Sequence, residues 1–158
     1  MPAPIFTPLG DDKDDYITVD GHIDWAIIPA HTVPRQKVDM PIRVRVGDQS
    51  FGIKHILDGH LAWLEKMRRT PCELIWEKLS LSSGAFYPGN KGNRVAIYVR
   101  LSPGCFLVLE SQIDTNTNEK FYSVVSMYHR APKKDEKPIG NYESRFSNPN
   151  ANRALRRC

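Results

Sequence analysis

No apolar run in this sequence approaches the roughly 20 residues that a membrane-spanning helix needs, so no membrane partner is expected. The opening MPAPIFTPLGDDKDD has neither a basic n-region nor an apolar h-region, and no secretory signal is expected from it. Cysteine is scarce. Cys72, Cys105 and Cys158 are an odd number without a CxxC spacing, which argues against a disulfide framework or a cysteine zinc site and suits a reducing cytoplasm. Internal repeats and low-complexity blocks are lacking too. What remains is 158 residues with 41% hydrophobic and 25% charged content, the composition of one globular domain with a real core.

The net charge of +4 is unevenly placed. Asp11, Asp12, Asp14, Asp15, Asp20 and Asp24 stand against only Lys13 near the start, whereas Arg130, Lys133, Lys134, Lys137, Arg145, Arg153, Arg156 and Arg157 crowd the other end. A basic end attracts polyanions, which makes nucleic acid a partner class to consider; a solvated tail is the plainer account of a charge run alone. Opposite charges attract at low salt, so the acidic front end is expected to fold back over basic surface and compete with such a partner.

Residues 1–20, rich in Pro and Asp, read as an acidic, loosely ordered segment. HIDWAIIP is a short apolar strand, and MPIRVRVG alternates Ile42, Val44 and Val46 with Arg43 and Arg45, a half-buried strand. Ser50 fits a helix cap, and a helix is predicted from Phe51 to about Arg69, where Thr70-Pro71 stops it. CELIWEKLS reads as a second, shorter helix and LSSGAFYPGNKGN as loop. RVAIYVRL, CFLVLESQI and FYSVVSMYHR, joined by short turns, predict an antiparallel meander. Residues 131–158 read as a basic irregular tail, which leaves 21–130 as the single domain. Helices first and a meander after predict an α+β fold, with one or two N-terminal helices packed on one face of an antiparallel sheet and the other face free for a ligand.

The helix SFGIKHILDGHLAWLEKMRR carries two histidines. Ile53, Ile56, Leu57, His60, Leu64 and Met67 share one stripe by the i, i+3, i+4 rule, so His60 lies in the apolar face. His55 stands about 140° away around the axis. That spacing is poor for chelating one zinc, and HILDGH lacks the glutamate of an HExxH site, so no metal site is expected. A core histidine at His60 and a surface one at His55 is the plain reading. Gly59 costs about 1 kcal/mol in a helix interior relative to Ala, and close approach by backbone or ligand is a reason for accepting it.

FGIKHILDGH resembles the G-x-x-H-I-x-x-x-H helix signature of phage and polymorphic-toxin endoribonucleases, the superfamily that groups barnase, EndoU, colicin-type tRNases and RelE. VVSMY, Val124 to Tyr128, resembles the Val-Val-Thr/Ser-x-Tyr context of their last strand. The likeness covers about residues 40–130. It implies a barnase-like fold with no cofactor, His55 and His60 as a catalytic histidine pair, and Ser126 as the last-strand hydroxyl. Arg100 or Arg94 is then the strand cation, with the choice open between them, and Tyr128 contacts base or phosphate. The resemblance further implies an RNA substrate, an immunity or antitoxin protein as partner, and action in a cytoplasm, including that of a target cell.

Strand periodicity points the same way. Arg94, Tyr98 and Arg100 share one strand face, and Tyr122, Ser126 and Tyr128 another, which together read as an RNA platform of phosphate cations and stacking rings. A solvated sheet face with cross-strand pairs fits the same pattern. Metal-free RNA cleavage needs a base for the ribose 2′-OH and an acid for the leaving 5′-oxygen. Histidine suits both because its unperturbed pKa, about 6.5, lies near working pH. His129 is a further candidate, facing away from the pair on a regular strand. The rival reading is a catalytically silent phage-type binding or inhibitor protein that contacts nucleic acid or a host protein.

Overall fold

The computed structural model describes residues 4–33, 36–80, 84–89, 93–99, 105–128 and 137–144. Along them run β1 (Phe6–Pro8), β2 (Tyr16–Val19), β3 (Ala26–Ile28), β4 (Met40–Arg45), α1 (Gly52–Met67), α2 (Pro71–Leu79), β5 (Gly84–Pro88), β6 (Arg94–Val99), β7 (Cys105–Ile113), β8 (Lys120–Tyr128) and β9 (Gly140–Ser144).

The meander forms where the alternation places it. β6 pairs antiparallel with β7 from Arg94↔Glu110 to Val99↔Cys105, and β7 pairs with β8 from Ile113↔Lys120 to Phe106↔Tyr128. Period-2 alternation sends Val95, Ile97, Leu107 and Leu109 to one side, where all are buried in one cluster.

The expectation of helices on one face of an open sheet is overturned. β8 pairs in parallel with β4 (Ile42↔Tyr122, Arg43↔Ser123), and β9 bridges β3 and β5. The order β4-β3-β9-β5-β6-β7-β8 therefore returns to β4 and closes a seven-stranded barrel. Closure satisfies the edges that an open sheet would expose and turns its inner face into the core. β1 and β2 run along the end of β4 that β3 leaves unpaired, with Tyr16↔Arg45 and Ile17↔Val44. Three segments contribute strands where none was expected: the acidic segment 1–20 gives β1 and β2, the Gly- and Pro-rich loop gives β5, and the basic tail gives β9.

Both helices add to the same core. Ile56 and Leu64 of α1, and Leu74, Ile75 and Leu79 of α2, are buried in one cluster with the barrel residues Ile42, Ile97 and Leu107. α2 begins as its sequence dictates, with Thr70 Oγ1 accepting from the Glu73 amide at 3.2 Å and Pro71 in the first turn. α1 begins one residue later than the Ser50 cap implies. Phe51 caps it without a side-chain hydrogen bond, and Ser50 instead donates from its amide and hydroxyl to Asp48. Among the described residues no helix is long and apolar enough to cross a membrane.

Gly59 is exposed, and a Cβ there would meet nothing within 4 Å, so close approach of protein backbone does not explain it. Gly59→Ala is accordingly expected to raise stability by about 1 kcal/mol, measured as an upward shift in thermal midpoint.

Candidate functional site

The site is set by a bulge in β8. Leu109 pairs with Val124 but Val108 pairs with Ser126, which leaves Val125 without a partner and inverts the alternation. Tyr122 and Val124 lie in the barrel core. Ser123, opposite Glu110, and Ser126, opposite Val108, both project from the outer wall. The expectation that Tyr122 shares a face with Ser126 and Tyr128 is therefore corrected: Tyr122 is 4% exposed within the core, and burial raises its phenol pKa. It is not part of a stacking platform on the outer wall.

His55 reaches this wall from α1. Its Nε2 lies 3.3 Å from Ser126 Oγ, and its Nδ1 lies 2.8 Å from the Gln49 carbonyl oxygen. A carbonyl only accepts, so Nδ1 carries the proton and donates to Gln49. Nε2 is then the acceptor for the Ser126 hydroxyl. Two residues singled out in separate elements, 71 positions apart, are thus brought together.

The start of α1 is pinned by two glycines. Gly47 and Gly52 have φ of 78° and 79°, and a Cβ on Gly52 would meet the Gly47 Cα at 2.7 Å and the Arg45 carbonyl oxygen at 2.9 Å. Both the left-handed conformation and the backbone contact exclude a side chain. Amides seal the junction, Lys54 N–H donating to Val46 at 3.0 Å and Asp48 N–H to Phe51 at 3.0 Å. Gly52→Ala is expected to lower stability by about 1–2 kcal/mol or more, measured by denaturant titration, because the chain must leave a conformation that only glycine takes freely.

Arg43 and Arg45, read as the solvated side of β4, are 3% and 8% exposed. Arg43 donates to Asp24 at 2.7 Å, to Glu119 and to the Tyr16 hydroxyl at 3.3 Å, and its guanidinium lies over the Tyr16 and Phe121 rings. Burial works to lower its pKa, but these hydrogen bonds together raise it. The Tyr16 hydroxyl donates to Asp114 at 2.6 Å; burial first and that bond second push the phenol up to about 12. Arg45 donates through Nε to Ser123 Oγ at 2.9 Å and through Nη1 to Asp14 at 2.9 Å, and stacks 4.2 Å from the Phe51 ring centroid. Burial lowers its pKa. Phe51 in turn packs on the outer cluster of Ala96, Phe106, Val108 and Val125.

The other predicted site residues fall apart from the pair. Arg94 shares the outer wall but donates to Glu110 at 2.6 Å, two strands across and two residue pairs along from Ser126, so it is committed to a carboxylate rather than aimed at the histidine. Arg100 and His129 lie outside the described residues. His60 belongs to α1, and Tyr98 and Tyr128 both pair with Phe106 in register; the side chains of all three lie outside the described residues. Gln49, Phe51 and Arg45 were missed. The signal for Phe51 was its place four residues before His55, whereas nothing in RVRV marks Arg45 as buried. A cavity of about 1130 Å³ lies elsewhere, walled by Val38, Met40, Ser111, Ile113 and Tyr122 among others; His55, Ser126 and Arg45 do not line it. Among the described residues no group of three or more His, Cys, Asp or Glu is placed to hold a metal ion. No family model matches this chain, nor does any curated protein or solved structure.

Proposed function

We propose that this protein is a metal-independent endoribonuclease in which His55 is the general base. The observation that carries the reading is the relay from the Gln49 carbonyl through His55 to Ser126, at 2.8 and 3.3 Å. A carbonyl that fixes the proton on Nδ1 leaves the Nε2 lone pair facing the outer wall from a half-buried ring, placed to accept a proton. On this reading the ribose 2′-OH gives its proton to Nε2 while its oxygen attacks phosphorus. The bond to the 5′-oxygen breaks, and that oxygen is protonated as it leaves, giving a 2′,3′-cyclic phosphate and a 5′-hydroxyl. The Ser126 hydroxyl, freed from Nε2, donates to a non-bridging oxygen as negative charge grows there. Assigning the leaving-group acid to His60 rests on the helix signature.

That signature, together with VVSMY in β8, is the second support, and it brings with it the setting of a toxin or phage effector with an immunity or antitoxin partner. The barrel itself lends none, since it departs from the barnase-like architecture. Ser126 as an acylated nucleophile is the poorer account of the same pair. It lies within a strand, without the sharp turn that lifts a nucleophilic serine clear of its sheet. Incubation of wild-type protein and His55→Ala with total RNA in EDTA tests the proposal. Cleavage by the wild type alone supports it, and salt-sensitive binding with no cleavage by either supports a silent binding module instead.

A further inference from the structure

We infer that Arg45 is the phosphate-binding cation of this site and that Asp14 occupies its anion position in the free protein. The inference rests on reading the His55–Ser126 wall as an RNA site. Ser123, which receives the Arg45 Nε–H, pairs with Glu110, and Ser126 pairs with Val108, two residues away on β7. Two residues along a strand span about 7 Å, which puts the guanidinium within one phosphate's reach of the His55–Ser126 pair. Phe51 links them from the helix side, stacked under Arg45 and packed on the outer cluster that includes Val108 and Val125, one turn before His55.

The two partners of the Arg45–Asp14 pair are held very differently. The Arg45 side chain is 9% exposed, clamped between Phe51 and Ser123; the Asp14 side chain is 65% exposed at the end of an acidic loop. The cation is built in and the anion is a cover. Asp14 uses only Nη1. The neighbouring amino group, Nη2, has no hydrogen-bond partner among the described residues and is not sealed from solvent. A phosphate that displaced the carboxylate would take both Nη1 and Nη2 in the forked geometry that guanidinium offers. Arg43 has no such vacancy to offer, since Asp24 and Glu119 both hold it. The acidic segment thus competes with RNA through one named contact rather than through diffuse charge.

The test is binding of a fluorescein-labelled 2′-O-methyl oligoribonucleotide, which cannot be cleaved at the 2′ position, to wild type, Asp14→Asn and Asp11→Asn. Asp11 is exposed in the same loop and makes no ion pair with Arg45, so Asp11→Asn removes the same charge without opening the anion position. Asp14→Asn is expected to tighten binding about two- to fivefold at low salt, the range over which an exposed ion pair competes, while Asp11→Asn changes it little. Equal tightening by both variants, or none by either, overturns the inference. In the Arg45→Lys background, which keeps the charge and loses the fork, the gain from Asp14→Asn is expected to disappear; an undiminished gain there also overturns it. The matching cleavable RNA separates the two levels. Selective tightening with no cleavage of that RNA upholds the anion site and sinks the nuclease reading, and cleavage with no selective tightening does the reverse.

Discussion

On the proposed mechanism, His55→Ala is expected to slow RNA cleavage by about 10²–10⁴-fold, the range for losing a general acid or base, while the fold persists. His55 is half-buried on α1, and its ring bonds are to a carbonyl at the helix start and to one hydroxyl. Removing it leaves no buried charge, so the thermal midpoint should move little. Ser126→Ala separates the roles within the pair. If the hydroxyl only donates to a phosphate oxygen, its loss costs about 10- to 100-fold, the worth of a hydrogen bond to a charged group, and cleavage remains measurable. If Ser126 were instead the nucleophile, activity would fall with Ser126→Ala at least as far as with His55→Ala. Rates and thermal midpoints for both variants, measured side by side with His60→Ala, decide among these. Wild-type cleavage by folded His55→Ala would remove His55 from the mechanism.

Local pattern and long-range closure were legible to very different degrees. Val95, Ile97, Leu107 and Leu109 alternate cleanly, so β6 and β7 could be placed from sequence, and Thr70-Pro71 announces the start of α2. The barrel could not be placed, because it is closed by pairings between distant segments of low local signal. β3 was legible as an apolar strand within HIDWAIIP, but its three residues say nothing of its partners, and β9 reads GNYES, without a period-2 run long enough to distinguish strand from loop. The bulge at Val125 was equally silent, yet that one extra residue takes Tyr122 off the face that carries Ser126. Arg43 and Arg45 are the sharpest failure. Alternation in RVRV says only that the arginines oppose the valines. Whether the far side is solvent or a second buried layer depends on Tyr16, Asp14, Asp24 and Phe121 arriving from elsewhere in the chain. The His55–Ser126 contact needed no foresight about the barrel, only a helix end and a strand each carrying a marked residue; its neighbours Gln49 and Arg45 required the three-dimensional structure.

Tyr142→Ala is expected to cost about 3–5 kcal/mol of unfolding free energy, the range for deleting a large buried aromatic ring. Tyr142 sits in β9, the strand that fills the gap between β3 and β5, and it is 0% exposed in the barrel core. Its hydroxyl donates to the Lys78 carbonyl at 2.6 Å, in the last turn of α2. The residue therefore ties the closing strand both to the core and to the second helix. Burial raises its phenol pKa, and the hydroxyl stays protonated as the donor that contact requires. Tyr142→Phe, which keeps the ring and removes only the donor, should cost about 1 kcal/mol. Urea titrations of the two variants measure both quantities. A strand from an irregular basic tail, loosely laid against a finished domain, would give values within about 0.5 kcal/mol of wild type for both substitutions. A large loss for Tyr142→Ala beside a small one for Tyr142→Phe means that the chain is not a complete domain until β9 has been inserted.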